Sequence, residues 1–229
     1  VSRYTRGWLR THDCSPEALA ERRPQLRLWD ADINDTLPTL DCSDYVNTDA
    51  GMRAWIEAIQ LHGVVLLRGV PAQPGQLLDV ARRIGNVRPS NFGEYYDVVS
   101  MPNPNASAYT AMGLELHTDL ANWNSPPDVQ LLFCIKSSVR GGESLFADGF
   151  KVATDLRARD PEAFRLLSSH PMDFRFHDDA CDIRASAPTI VLDGEGCITQ
   201  VRFNNWLRAP MSLPEHLIEP MYAALGTFW

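Results

Sequence analysis

The chain has 229 residues, 45% of them hydrophobic, and a formal net charge of −8. That length supports a substantial buried core, while the acidic balance and the lack of a Lys/Arg cluster exclude a basic stripe for nucleic acid. No apolar run is long enough to cross a membrane, and five widely spaced cysteines (Cys14, Cys42, Cys134, Cys181, Cys197) without a Cys-x-x-Cys pair read as reduced cytoplasmic thiols.

In chain order, residues 1–40 read as a linker or the remnant of an N-terminal module, and residues 41–229 as the main domain. Ser15 is placed to cap a helix that starts at Pro16-Glu17-Ala18. It offers a hydroxyl acceptor, followed by a proline that needs no N–H partner and a carboxylate near the positive dipole end. Residues 30–38 read as a loop. Met52, Trp55, Ile56 and Ile59 recur at helical spacing through residues 48–62, and the glycine-bounded run 63–69 predicts a fully apolar strand. A second helix is predicted over residues 76–84. The chain starts at Val1 and stops at Phe228-Trp229 inside a predicted helix without a stop signal, so a fragment is expected.

Residues 89–112 are polar and irregular but carry Phe92, Tyr95, Tyr96 and Tyr109. Long irregular stretches with aromatics serve as substrate walls, or the rings plug the rim of a core; both readings stand. Next comes Gly113-Leu114-Glu115-Leu116-His117-Thr118-Asp119. If this is a strand, His117 and Asp119 share a face, because strand side chains alternate. An imidazole, a carboxylate and a second, distant imidazole form the facial triad of non-haem Fe(II) oxygenases. Alone, His-x-Asp is a weak motif, and an ordinary surface strand end is the alternative.

Strands are then predicted at residues 128–136, 143–148, 173–177, 189–193 and 198–204, with a hairpin turn at Asp193-Gly194-Glu195-Gly196. Amphipathic helices are predicted over residues 151–169 and 214–229. Many short strands with peripheral helices predict a mainly β fold with flanking helices, built on a double-stranded β-helix (jelly-roll, cupin-like) core.

Ordered motifs make this pattern specific. Tyr109-Thr110, His117-Thr118-Asp119, Ser125-Pro126-Pro127, Val129-Gln130-Leu131-Leu132, Gly141-Gly142-Glu143-Ser144, Asp148-Gly149-Phe150 and Phe203-Asn204-Asn205 resemble the γ-butyrobetaine hydroxylase family. That family lies within the taurine-dioxygenase-like Fe(II)/2-oxoglutarate oxygenases.

The resemblance implies an oxygenase domain over 41–229, truncated at its C-terminal end, in which His117 and Asp119 are two of three iron ligands. Ser144 would hydrogen-bond the distal carboxylate of 2-oxoglutarate, with Leu132 in the same cosubstrate site. Phe92, Tyr96 and Tyr109 would form an aromatic cage for a trimethylammonium group, which has no N–H to donate and is attracted by ring faces. Asn204, Asn205 and Arg208 would hold the substrate's acidic end. The implied cofactors are Fe(II), 2-oxoglutarate and O₂, with ascorbate as reductant and a structural zinc in a preceding N-terminal module. The expected partner is a small quaternary-ammonium substrate, and the Trp-rich termini suggest a homodimer.

Phe92 and Tyr96 stand where family members carry Tyr and Trp, and Ala106 and Leu120 replace polar groups near the substrate. Each buried hydrogen bond to a charge is worth about 1.5–3 kcal/mol. Trimethyllysine and trimethylaminoethyl phosphonate are therefore alternatives to γ-butyrobetaine. A non-catalytic binder of a cationic metabolite and a zinc hydrolase are readings from other classes. The family's second iron histidine and 2-oxoglutarate arginine are expected beyond Trp229, with His170, His177 and His216 as weaker in-chain ligands.

Overall fold

Short helices with side-chain caps begin the chain in the computed structural model, which describes residues 2–98, 113–136 and 142–229. Two compact units are present, Val1–Gly69 and Val70–Trp229. In the first, α1 (Arg6–Thr11) is capped by Thr5 and α2 (Pro16–Arg22) by Ser15, whose hydroxyl accepts from the Ala18 amide as predicted. The short helix α3 (Ile33–Thr36) falls inside the stretch read as loop. Strand β1 (Thr39–Asp41) then leads into α4 (Cys42–Asn47) and α5 (Asp49–His62), and β2 (Leu66–Arg68) returns parallel to β1 with Leu40 opposite Leu67.

The helical spacing at 48–62 is realised in α5. Thr48 caps it through the Gly51 amide, and Gly63, at φ 70°, ends it by donating its N–H to the Ile59 carbonyl. Tyr45 on α4, fully buried, meets Trp55 on α5 with ring centroids 5.7 Å apart. The strand β2 is shorter than the predicted apolar run, and Leu66 remains exposed.

In the second unit, α6 occupies Gln76–Ile84, as its spacing predicts. The helix predicted over 151–169 is two helices, α7 (Gly149–Arg159) and α8 (Pro161–Ser169). Asp160 breaks it: its amide closes α7 on Leu156 while its carboxylate caps α8 through Ala163, and Pro161 cannot continue a helical ladder. Strands β3 (Pro171–His177) and β4 (Asp182–Pro188) form an antiparallel hairpin, with β5 (Ile190–Leu192) and β6 (Ile198–Val201) forming a second. The strand β4 has a weak apolar pattern, Asp-Ile-Arg-Ala-Ser-Ala-Pro, and sequence reading misses it. The final helix α9 (Glu215–Phe228) packs on α8, burying Leu167, Ile190 and Met221 completely in a core shared with Phe164, Phe174 and Phe203.

A mainly β chain is not what the described residues form. Helices outweigh three two-stranded sheets, and no jelly roll is present among them. Residues 128–136 and 143–148, predicted strands, and 113–119, whose shared-face reading supposed a strand, run without ladder partners among the described residues. Alternating pattern specifies a strand's face; the partner that makes it a ladder is non-local. Accordingly Leu114, Leu116, Leu132, Leu145 and Phe146 are exposed. Among the described residues no helix is long and apolar enough to cross a membrane.

Two outcomes test this description. Helix propensity alone makes Gly51→Ala stabilising by about 1 kcal/mol, yet a Cβ there would sit 2.3 Å from the Asp44 carbonyl oxygen. Urea unfolding is therefore expected to show a loss of about 1–3 kcal/mol, as in overpacked cores. In the β3–β4 hairpin, Arg184 and Arg175 hold the Asp182 carboxyl far below its ordinary value of 3.8. A depressed value adds stability above the unfolded carboxylate range and loses it as pH falls below about 4. Asp182→Asn should flatten that acid limb, and high salt should shrink the difference, because the pair is exposed.

Candidate metal centre

The segment 115–119 is held by residues just after β6. The Thr118 amide donates to the Phe203 carbonyl at 2.6 Å, and the Phe203 amide donates back to the Thr118 hydroxyl at 3.0 Å. Asn204, buried beside them, donates its amide to the Thr118 carbonyl at 3.3 Å. Its carbonyl oxygen accepts from the amides of Trp206 and Leu207. Asn205 donates to the Glu115 carboxylate at 3.2 Å.

His117 and Asp119 flank this anchored threonine. His117 Nε2 lies 3.1 Å from Asp119 Oδ1, while Nδ1 donates to the Glu115 carbonyl at 2.6 Å. With Nδ1 carrying a proton, Nε2 is the nitrogen that faces the carboxylate, and a backbone carbonyl behind an imidazole is the arrangement that orients metal-binding histidines. Two atoms each about 2.1 Å from one metal ion and at right angles lie about 3.0 Å apart. The pair therefore fits a shared divalent cation. The Asp119 hydrogen bond is the main cause that raises the His117 pKa, against the opposing effect of burial. An environment that attracts a proton there attracts a cation for the same reason. Gln130 donates to the second Asp119 oxygen, Oδ2. Sequence reading missed this role; the signal was one amide inside the otherwise apolar Val129-Gln130-Leu131-Leu132.

Other predicted site residues are distributed less tightly. Phe92 is set by a tight turn in which its amide donates to the Ser90 hydroxyl and Gly93 takes φ 95°. Its ring meets Tyr96 at 5.3 Å and Phe176 at 5.5 Å between centroids. Phe176, on β3, is an aromatic neighbour that no sequence signal pairs with Phe92. Tyr109 and Ala106 lie outside the described residues. Ser144 and Leu132 sit on exposed extended segments, without a hydrogen bond to His117 or Asp119 among the described residues. The Arg208 guanidinium stacks 5.1 Å over Tyr222 of α9. His170 ends α8 against the Ser169 hydroxyl, His177 ends β3 and His216 lies in α9. Among the described residues no third His, Cys, Asp or Glu completes a metal-binding group with the pair.

The geometry thus defines an imidazole–carboxylate pair suited to a divalent metal and stabilised from behind by backbone and amide contacts. The family model "Taurine catabolism dioxygenase TauD, TfdA family" matches residues 21–226, and the chain belongs to that family, whose fold is cupin-like. It is 39% identical to the γ-butyrobetaine dioxygenase of Pseudomonas sp. (strain AK-1), over 100% of this chain and 60% of that protein. Human γ-butyrobetaine dioxygenase is 33% identical over 99% of this chain and 60% of its own length. Human mitochondrial trimethyllysine dioxygenase is 26% identical, over 99% of this chain and 56% of the relative. The chain thus spans about three-fifths of the length of these relatives.

Thr118→Val keeps the shape of the side chain but leaves the Phe203 amide without its 3.0 Å acceptor. An unsatisfied donor in a partly buried site costs about 1–3 kcal/mol. Urea unfolding should register that loss, and Thr118→Ser should retain most of the stability.

Proposed function

We propose that this chain forms the greater part of an Fe(II)- and 2-oxoglutarate-dependent dioxygenase that hydroxylates a small quaternary-ammonium compound, with γ-butyrobetaine as first choice. The observation that carries the reading is the 3.1 Å convergence of His117 Nε2 and Asp119 Oδ1, in a chain 39% identical to a γ-butyrobetaine dioxygenase. In this reading the domain completes a double-stranded β-helix, and the third iron ligand lies outside the described residues.

Fe(II) with 2-oxoglutarate supplies the activation of O₂ that hydroxylation of an unactivated C–H bond requires, while the protein contributes position and exclusion of water. His117 Nε2 and Asp119 Oδ1 would hold the metal. The Glu115 carbonyl keeps the proton on Nδ1, and Gln130 fixes the carboxylate through its other oxygen. Ser144 donates to the distal carboxylate of the cosubstrate, with Leu132 beside it. Phe92 and Tyr96, with Tyr109 as the third proposed cage residue, would attract the trimethylammonium group and so orient the substrate. Asn205 and Arg208 hold the anionic end. Asn204, whose amide group is committed to backbone partners, acts by shaping the segment after β6.

The changes at Ala106 and Leu120 favour a second substrate reading, trimethyllysine or trimethylaminoethyl phosphonate. The experiment that separates these is succinate formation by the intact protein with Fe(II), 2-oxoglutarate and ascorbate, with each compound added in turn. One compound is expected to stimulate turnover strongly, and His117→Ala and Asp119→Ala to return it to background. Iron-loaded protein that none of them stimulates would confine the claim to the fold and reopen the aromatic-cage assignment. Phe92→Ala should raise the KM for the cationic substrate about 2- to 30-fold, the equivalent of a cation–π contact worth about 0.5–2 kcal/mol.

A further inference from the structure

Arg202 is 4% exposed, and its charge has no carboxylate partner among the described residues. A buried guanidinium is costly unless its donors are satisfied. Three of the four hydrogen bonds from its terminal nitrogens go to one short turn, while Nε, also buried, has no partner among the described residues. Nη1 donates to the carbonyls of Trp123 at 2.9 Å and Ala121 at 3.4 Å, and Nη2 to the carbonyl of Asn124 at 3.3 Å. A fourth bond reaches Gln200 Oε1 at 3.3 Å.

That turn is the one that immediately follows Asp119. It begins at Leu120, the one non-glycine residue with positive φ (51°) among the described residues. A leucine is strained in this left-handed conformation and stays there only when its surroundings hold it. The turn's own backbone supplies a single hydrogen bond, from the Trp123 amide to the Leu120 carbonyl. Arg202 supplies three more. Arg88 also stacks over the Trp123 ring at 5.1 Å and donates to the Ser125 carbonyl. Phe203, the residue next to Arg202, is the one clamped to Thr118. Consecutive residues after β6 therefore grip the chain on both flanks of Asp119.

We propose that Arg202 is a positioning residue for the metal pair, holding the turn 120–124 so that the Asp119 carboxylate stays opposite His117. This inference rests on the reading of His117 and Asp119 as iron ligands. An ammonium could not replace the guanidinium fully, because it is a point charge and cannot reproduce a planar fork across three carbonyls.

The test is anaerobic Fe(II) binding by the intact protein, measured well below its melting temperature, for wild type, Arg202→Met and Arg202→Lys. In parallel, hydrogen exchange at the Trp123 amide is read in the metal-free proteins. Loss of a partner that orients a metal ligand costs about 10- to 100-fold in metal affinity. Arg202→Met is expected to weaken the Fe(II) Kd by that factor and to speed exchange at Trp123, with Arg202→Lys between it and wild type. Folded Arg202→Met or Arg202→Lys protein with wild-type Fe(II) affinity would overturn the proposal. A change in melting temperature alone would mean that Arg202 serves the fold and not the metal pair, which also overturns it. Where Arg202→Met does not fold, the Lys variant decides by the same Kd comparison. Wild-type protein that binds no Fe(II) would instead sink the iron reading, and with it this inference.

Discussion

The His117–Asp119 pair depends on two residues 85 positions apart that hold each other by both backbone and hydroxyl. Thr118 gives its amide to Phe203 and receives the Phe203 amide on its hydroxyl. His117 and Asp119 have no regular secondary structure of their own to set their direction. Their approach to 3.1 Å is therefore set by the residue between them and by what that residue is tied to. A strand ladder would distribute this task over many bonds; here a few must suffice, and each is correspondingly consequential.

The support for that anchor comes from the helices. Phe203 is buried in the core built by α7, α8 and α9, where its ring meets Phe228 at 5.5 Å. The strand β6 that leads into it lies against α7, close enough that a Cβ on Gly149 would sit 3.3 Å from Val201. The end of β6 is thus fixed by close-packed apolar side chains, which transmit position with little give. The polar groups at residues 115–119 borrow their rigidity from a core in which they take no part. The next stretch of chain, Leu207 to Ala209, pairs with the edge of β3, so residues 202–209 connect the segment 115–119 to the hairpin that carries Phe176.

Electrostatics at the pair are simple. A carboxylate beside an imidazole raises the affinity of the site for any positive charge, proton or metal, and the carbonyl behind Nδ1 selects the nitrogen that meets it. Gln130 then removes a rotational freedom of the carboxylate without adding charge. Orientation from a neutral amide keeps the carboxylate's full negative charge available, as a salt bridge to an arginine would not. Arg202, near in sequence to the anchor, donates from its terminal nitrogens to carbonyl oxygens and makes no hydrogen bond to Asp119 among the described residues.

Much of this was legible in the sequence. Local chemistry fixed the helices at 16–22, 49–62 and 76–84, since caps, proline positions and a 3.6-residue period act within a few residues. The His-x-Asp motif and its family context were readable from residue identity and order. The split of 151–169 at Asp160-Pro161 was readable too, had the cap and the proline been weighed above the apolar period. The extended segments around the pair were not decided by their pattern, because alternation assigns a face but supplies no hydrogen-bond partner. The pairing of Phe92 with Phe176, the amide of Gln130 on Asp119 and the reach of Arg202 to three carbonyls all join residues distant in sequence. Which atoms meet across such distances depends on how the core packs, and only the tertiary structure decided that. The sequence determined the chemistry offered at positions 117 and 119; packing determined that the two side chains face one another.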